Sequence, residues 1–296
     1  MSRLNAPVLH ALTAAGLDPT DVERVVRGAL GEDLVLGPDV TTEATVPAGA
    51  TATADIVARA AGTVAGVPVA LAVLDAGSAP PFCAEVLRGD GDTVAPGDTV
   101  LTVTGPLRSL LTRERTMLNL LTHLSGVATV TRAWVEQVAG TGAVIRDTRK
   151  TLPGLRALEK YAVRCGGGVN HRMALGDAAL IKDNHVNTAN GITAAIRAVR
   201  AHAPEVDLEV ECDTLDQVRE AVTAGARLIL LDNMSTVQLR AAVAVARSAP
   251  GVRLEASGGL TLVRAREVAQ TGVDYLAVGA LTHSAPALDL GLDVRP

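Results

Sequence analysis

Residues 207–280 read DLEVECDTLDQVREAVTAGARLILLDNMSTVQLRAAVAVARSAPGVRLEASGGLTLVRAREVAQTGVDYLAVGA. Four short apolar runs, DLEVECD, ARLILLDN, VRLEASGG and DYLAVGAL, alternate here with helical stretches. Towards the N-terminus the same alternation continues through DAALIKDNH (177–185) and AVIRDTRK (143–150). One marker per strand end, Arg149, Lys182, Glu211, Asp232, Ser257 and Gly279, gives separations of 33, 29, 21, 25 and 22 residues. That is the length a strand, a helix and two short loops require, so the text predicts βαβ units and a parallel sheet. Six or seven units favour a closed α/β barrel of TIM type over an open doubly wound sheet. No GxGxxG follows any of these strands, so the dinucleotide fingerprint is missing.

Upstream, RSLLTRERTMLNLLTHLSGVATVTRAWVEQVAG (108–140) spaces its apolar residues by three and four and predicts one long helix. Residues 7–30 are also helical in spacing, whereas ALGEDLVLGPDVTTEATVP (29–47) is Gly- and Pro-rich and reads as a connection. From Ala52 to Val103 the chain alternates and turns often, which predicts short antiparallel strands. GDGDTVAPGDTVLTVTG (89–105) has the turns of a lipoyl- or biotinyl-carrier module, but such a module needs an exposed hairpin Lys and residues 50–106 contain none. The expected organisation is an N-terminal α+β sandwich domain over residues 1–115, a barrel over 116–282, and a tail over 283–296 returning to the N-terminal domain.

The 296 residues are 48% hydrophobic, nearly all Ala, Val and Leu, so the core is built from small side chains. A formal charge of −5 argues against a nucleic-acid surface. Cys83, Cys165 and Cys212 are too far apart for a zinc knuckle and odd in number, which fits a reducing compartment. The start lacks the pattern of a signal peptide, and the most apolar stretch, Ala60–Leu74, is shorter than the ~20 residues a membrane span takes. Cytoplasmic placement is expected, with no membrane partner.

In such barrels the site lies at the carboxyl ends of the strands. Four of the six ends carry charge, and converging charges are costly unless a ligand or metal neutralises them. Between Arg146 and Lys182 stand eight basic residues and three acids, a positive field inside an acidic protein that suits a small polyanion. Arg156, Lys160 and Arg164 read as the solvated face of a helix. Arg149, Lys150, Arg172 and Lys182 lie at strand ends or beside the turn CGGGVNHR, where Arg grips carboxylates with two parallel hydrogen bonds and Lys adds a point charge. His171 is either a hydrogen-bond donor or proton-transfer group, or structural. Glu211 and Asp232 end consecutive strands and suit Mg²⁺, sugar hydroxyls or a developing positive charge; capping of the next helix is the alternative for Asp232. Ser257, Gly258, Gly259 and Gly279 follow the last two strands, the usual phosphate site of the fold.

RDTRKTLPGLRALEKYAVRCGGGVNHRMALGDAALIKDNH (146–185) resembles the central signature of quinolinate phosphoribosyltransferases. The resemblance extends to TRERTMLNLLTHLSG, EVECDTLDQV, LLDNMS, LEASGGL and VGALTHS, and more weakly to EDLVLGPDVTTEATVP, so it covers nearly the whole chain. It implies transfer of phosphoribosyl from phosphoribosyl pyrophosphate to quinolinate with decarboxylation, a step of NAD synthesis that requires Mg²⁺. It further implies an incomplete barrel and a homodimer, with higher assembly left open, in which Arg115 of one subunit reaches the other's site. By the same resemblance Arg115, Arg149, Arg172 and Lys182 hold the quinolinate carboxylates, with His171 and Thr148 close by. Lys150, Glu211 and Asp232 then face phosphoribosyl pyrophosphate and its metal as the catalytic set, while Ser257, Gly258, Gly259, Gly279 and, more weakly, His283 meet the 5′-phosphate. Cys165 and Ala174 depart from the usual Thr and Gly and leave the turn conformation open. A paralogous barrel with another acid substrate and a non-catalytic ligand-binding barrel are the competing readings; the first would alter the Arg/Lys/His set, the second would lose Glu211, Asp232 or the strand-end bases.

Overall fold

The structure, a computed structural model, describes residues 4–77 and 81–295. They fall into two compact units that interleave along the chain. The first comprises the residues up to Arg132, Thr151–Gly167 and Leu281 onward; the second comprises Ala133–Lys150 and Gly168–Ala280.

The first unit begins with helices α1 (Ala6–Ala14), α2 (Pro19–Leu34) and α3 (Val40–Thr45), capped in turn by Asn5, Asp18 and Asp39. Pro near the start of α1 and α2 forfeits only an N–H that a helix start leaves unpaired. Strands β1 (Thr51–Ala58) and β2 (Gly62–Thr63), helix α4 (Val67–Asp75), and strands β3 (Cys83–Val86), β4 (Thr93–Val94) and β5 (Thr99–Pro106) follow. Helix α5 (Leu107–Val138) then runs for 32 residues, straight through the position where the sequence places a domain boundary.

The last strand of the chain, β12 (Leu290–Val294), pairs antiparallel with β1, which completes the sheet order β12-β1-β5-β3. Arg295 donates two 2.8 Å bonds to Asp55 of β1. Gly126 of α5 lets the returning chain lie close: a Cβ there would stand 2.1 Å from the Pro286 carbonyl oxygen. α6 (Arg156–Cys165) also belongs to this unit.

Two sequence expectations need correction here. The stretch read as a connection contains the end of α2 and all of α3, because Asp39 accepts from the Thr42 N–H at 3.0 Å and the Thr42 hydroxyl at 2.5 Å and starts a helix despite the Gly and Pro before it. Lys160 is not on a solvated face. Leu158 through Val163 are all buried, including Glu159 and Lys160, so the helix is enclosed around most of its circumference, with Arg156 half-buried and only Arg164 exposed. Glu159 is satisfied there by the Leu152 N–H at 3.1 Å and by His123 Nε2 at 2.9 Å.

The second unit holds the parallel sheet. Its strands are β6 (Val144–Arg146), β7 (Ala178–Ile181), β8 (Asp207–Cys212), β9 (Leu228–Asp232), β10 (Arg253–Ser257) and β11 (Tyr275–Ala277), in spatial order β6-β11-β10-β9-β8-β7. Helices α7 (Asp183–Ala189), α8 (Ile192–His202), α9 (Leu215–Thr223), α10 (Thr236–Ala246) and α11 (Ala265–Ala269) make the crossovers, and α12 (Ala280–His283) follows β11. All six strands are those read from the sequence. Among the described residues β6 and β7 do not pair, so the barrel is incomplete, with those two strands as its edges.

Side chains from alternate strands meet inside the curved sheet: Arg146 of β6 reaches Glu255 of β10 at 2.7 Å. Such layers of alternate strands fill barrels of this type. Among the described residues no helix is long and apolar enough to cross a membrane.

Candidate active site

At the carboxyl ends of the parallel strands lies a cavity of ≈ 560 Å³ lined wholly from the second unit. Each strand contributes through its last residues or the loop just after it, because side chains two apart share a face and the strand end sets which of them face inward.

The β6 end supplies Thr148, Arg149 and Lys150. Thr148 Oγ1 accepts from the Lys150 N–H at 3.0 Å, which fixes the turn that carries the two bases. Arg149 has a buried Nε without a hydrogen-bond partner. His171 and Arg172 arrive on the loop before β7, and Arg172 donates from Nη1 to the Ala178 carbonyl at 3.0 Å. Burial and then the Arg149 charge both loosen the Arg172 proton, the signature of two guanidinium groups held together where an anion would relieve them.

Lys182, just past β7, stands 3.1 Å from Glu211 at the end of β8. Asp232 at the end of β9 accepts from Asn233 Nδ2 at 2.6 Å. It caps nothing: α10 starts at Ser235, whose hydroxyl accepts from the Gln238 N–H, so the helix-capping reading of Asp232 falls away. Glu211 and Asp232 therefore present carboxylate oxygens to one cavity from neighbouring strands, hard donors of the type Mg²⁺ takes, and the residue types fit that ion.

Ser257, Gly258 and Gly259 close the wall beyond β10. Gly258 has φ +85°, and a Cβ would fall 2.3 Å from Asn233 Oδ1. Asn233 itself has φ +52° and donates its N–H to the Ser257 carbonyl at 3.0 Å, so the turns after β9 and β10 brace each other.

Of the residues expected from the sequence, Thr148, Arg149, Lys150, His171, Arg172, Lys182, Glu211, Asp232, Ser257, Gly258 and Gly259 all line this cavity. Gly279 follows β11 in the same unit without lining it. Arg115, exposed on α5, and His283, exposed at the end of α12, belong to the first unit. Ala174 has no left-handed φ and its N–H is held by Asp177 at 2.9 Å, so the turn accepts a side chain there.

The sequence reading passed over Asn233, Glu255 and, in the layer beneath, Glu209 and Asp147. A signal for two of them existed: counting back two residues from Glu211 and from Ser257 places Glu209 and Glu255 on the same inward face. Glu255 is fully buried, and burial followed by the Glu209 charge pushes its carboxyl up to about 7 against the pull of Arg146.

An incomplete parallel barrel thus gathers two arginines, two carboxylates and a glycine turn at its strand ends, a lining suited to a small anionic ligand. The chain belongs to the quinolinate phosphoribosyltransferase family: the C-terminal domain of that family matches residues 127–293 and the N-terminal domain residues 39–125. It is 57% identical over 273 residues to the nicotinate-nucleotide pyrophosphorylase [carboxylating] of Mycobacterium leprae, covering 91% of this chain and 95% of that one. It is 43% identical over 240 residues to the probable enzyme of the same name from Synechocystis, covering 80% and 81%. The solved nicotinate-nucleotide pyrophosphorylase from Francisella tularensis superimposes with a TM-score of 0.88 at 37% identity, covering 93% of this chain and 96% of the other.

Proposed function

We propose that the cavity of the second unit is where this chain transfers a phosphoribosyl group from phosphoribosyl pyrophosphate to quinolinate, releasing pyrophosphate and carbon dioxide and giving nicotinate mononucleotide. The observation that carries the reading is the division of one cavity between two chemistries. Arg149, Arg172 and Lys182 bring positive charge into it, Glu211, Asp232 and the Ser257–Gly259 turn bring carboxylates and backbone N–H groups, and the two sets meet where Lys182 pairs with Glu211 at 3.1 Å.

The bases hold the two carboxylates of quinolinate, Arg in bidentate fashion, and so aim the ring nitrogen at the sugar. Glu211 and Asp232 accept from ribose hydroxyls and stabilise the positive charge that grows on the ribose as its bond to pyrophosphate breaks. Lys150 neutralises the departing pyrophosphate, and the backbone N–H groups of the glycine turn receive the 5′-phosphate, with Gly279 as a further contact. The nitrogen then bonds the anomeric carbon and becomes cationic; its charge stabilises the electron pair left on the adjacent ring carbon as that carbon's carboxylate departs as carbon dioxide, and a proton from water takes the vacated position. No covalent bond to the protein is needed. When bound, Mg²⁺ held by Glu211 and Asp232, directly or through water, adds charge neutralisation at the pyrophosphate. The reading includes a cytoplasmic homodimer in which Arg115 serves the partner's cavity; the exposure of Arg115 on α5 supports that role.

The test is product release from quinolinate and phosphoribosyl pyrophosphate with and without Mg²⁺, with nicotinate as the alternative acceptor. Metal-dependent nicotinate mononucleotide from quinolinate alone is expected; no turnover by folded protein would sink the reading. Within it, Arg172→Ala raises the quinolinate KM by at least about tenfold, the worth of one charged hydrogen-bonded contact, and leaves the phosphoribosyl pyrophosphate KM nearly unchanged. Equal loss of both would break the division of roles.

A further inference from the structure

We infer that His171 is a neutral positioning residue, clamped by Glu209 so that its ring holds the backbone of Arg172, and that it donates no proton and no hydrogen bond to substrate. The inference rests on the proposed quinolinate site and concerns how that site is built.

The Arg172 backbone N–H, which can only donate, points at His171 Nδ1 from 2.7 Å. Nδ1 must therefore carry a lone pair, and the ring proton must sit on Nε2. Nε2 lies 2.7 Å from Glu209 Oε2 and 3.6 Å from Glu255 Oε1, so both ring nitrogens are occupied within the protein and the side chain is 6% exposed. An imidazolium would set an Nδ1–H against the Arg172 N–H. Within the cavity's own lining Arg149, Arg172 and Lys182 are then the cations that meet the dicarboxylate, and the imidazole is not among them.

The same hydrogen bond decides a second question. His171, Glu209 and Glu255 offer one ligand atom each, all within 4.8 Å of one another and all buried, which is the composition of a metal site. A metal on Nε2 leaves the proton of a neutral ring at Nδ1, where the Arg172 N–H already points. The cluster is a clamp.

Its other parts fit that role. Asp147, fully buried beyond β6, accepts from the His171 N–H at 2.8 Å and from Asn170 Nδ2 at 2.5 Å. Arg146 reaches the Asn170 carbonyl at 3.5 Å while bound to Glu255. Carboxylates from the end of β6, from β8 and from β10 thus fix the loop that presents Arg172. A side chain with many rotamers becomes a preorganised fork because its own backbone and the Ala178 carbonyl leave it little freedom.

The experiment has two arms. In protein labelled with ¹⁵N-histidine, with His171 assigned against His171→Gln, the wild type is expected to show the tautomer with Nδ1 unprotonated and Nε2 protonated. A protonated Nδ1 would overturn the inference, and this arm reads out even if quinolinate is not the substrate. In kinetics, Glu209→Ala raises the quinolinate KM about tenfold with the phosphoribosyl pyrophosphate KM held within about twofold, and Glu209→Gln, whose Oε1 still accepts from Nε2–H, restores most of it. A quinolinate KM unchanged in Glu209→Ala, or both KM values rising together, would show that the pair does not act through Arg172. If Glu209→Ala fails to fold, the Gln variant and the wild-type spectrum still decide.

Discussion

Gly258 carries two independent requirements on one residue: a left-handed φ, and the absence of a Cβ that would otherwise strike Asn233 Oδ1 at 2.3 Å and its backbone nitrogen at 2.9 Å. Gly258→Ala is therefore expected to cost more than the ~1 kcal/mol typical of a strained backbone position, and to raise the KM of phosphoribosyl pyrophosphate above that of quinolinate. Urea denaturation and paired KM measurements check both; an alanine variant with wild-type stability would mean the turn is not braced as described. The cysteines make a second residue-scale case. Burial pushes the thiol of Cys212 up to about 12 and that of Cys165 up to about 11, whereas Cys83 is exposed. Because the thiolate is the nucleophile, one thiol should react quickly with a disulfide reagent in the native protein and all three after unfolding. Rapid reaction of two or more native thiols would contradict the half-buried position of Cys165 and the full burial of Cys212.

Helix α3 is six residues long and depends on its start. The Thr42 hydroxyl and N–H hold the Asp39 carboxyl below the usual carboxylate range, so the cap contributes above that range and is lost as pH falls through the lowered value. Asp39→Ala should cost about 1 kcal/mol at neutral pH and less in acid, read from denaturation midpoints at the two pH values; an equal loss at both would mean the charge is irrelevant to the cap. The same helix marks the limit of what the sequence discloses. The six parallel strands were legible because each is a short apolar run ending in polar residues, and the cavity residues were legible because they sit at those ends. α3 was not, because Gly37 and Pro38 outweigh a single Asp cap in local reading and only the formed hydrogen bonds reverse that. Lys160 was misread for a related reason: a charge on a helix reads as solvated unless the helix is known to be enclosed, and enclosure is a property of the packing. Glu209 and Glu255 were legible by parity with Glu211 and Ser257, although an acid in mid-strand argues against burial until Arg146 and His171 are seen facing it.

On the scale of the whole chain, charge is distributed against the average: a protein of net −5 places Arg146, with Glu209 and Glu255, in the interior layer of its barrel. Burial opposes the Arg146 charge, yet Glu255 beside it holds the guanidinium proton more tightly than usual. Glu255 is raised to about 7, so the folded state favours its protonated form. Its contribution to stability is therefore full below the ordinary carboxylate range and is lost as pH rises through about 7. Arg146→Met removes the cation and leaves two buried carboxylates facing each other. The expected loss is about 3–5 kcal/mol at pH 8, the cost of a broken buried ion pair, and clearly less near pH 5, where a proton replaces the missing charge. Arg146→Met combined with Glu255→Gln should recover much of the loss at pH 8, since a neutral amide needs no counter-charge. Urea denaturation of the three proteins at both pH values measures this. A deficit of the same size at pH 5 and pH 8, unrelieved by Glu255→Gln, would show that Arg146 stabilises the barrel by filling space over Tyr275, which it overlies at 4.9 Å, and not by neutralising the layer.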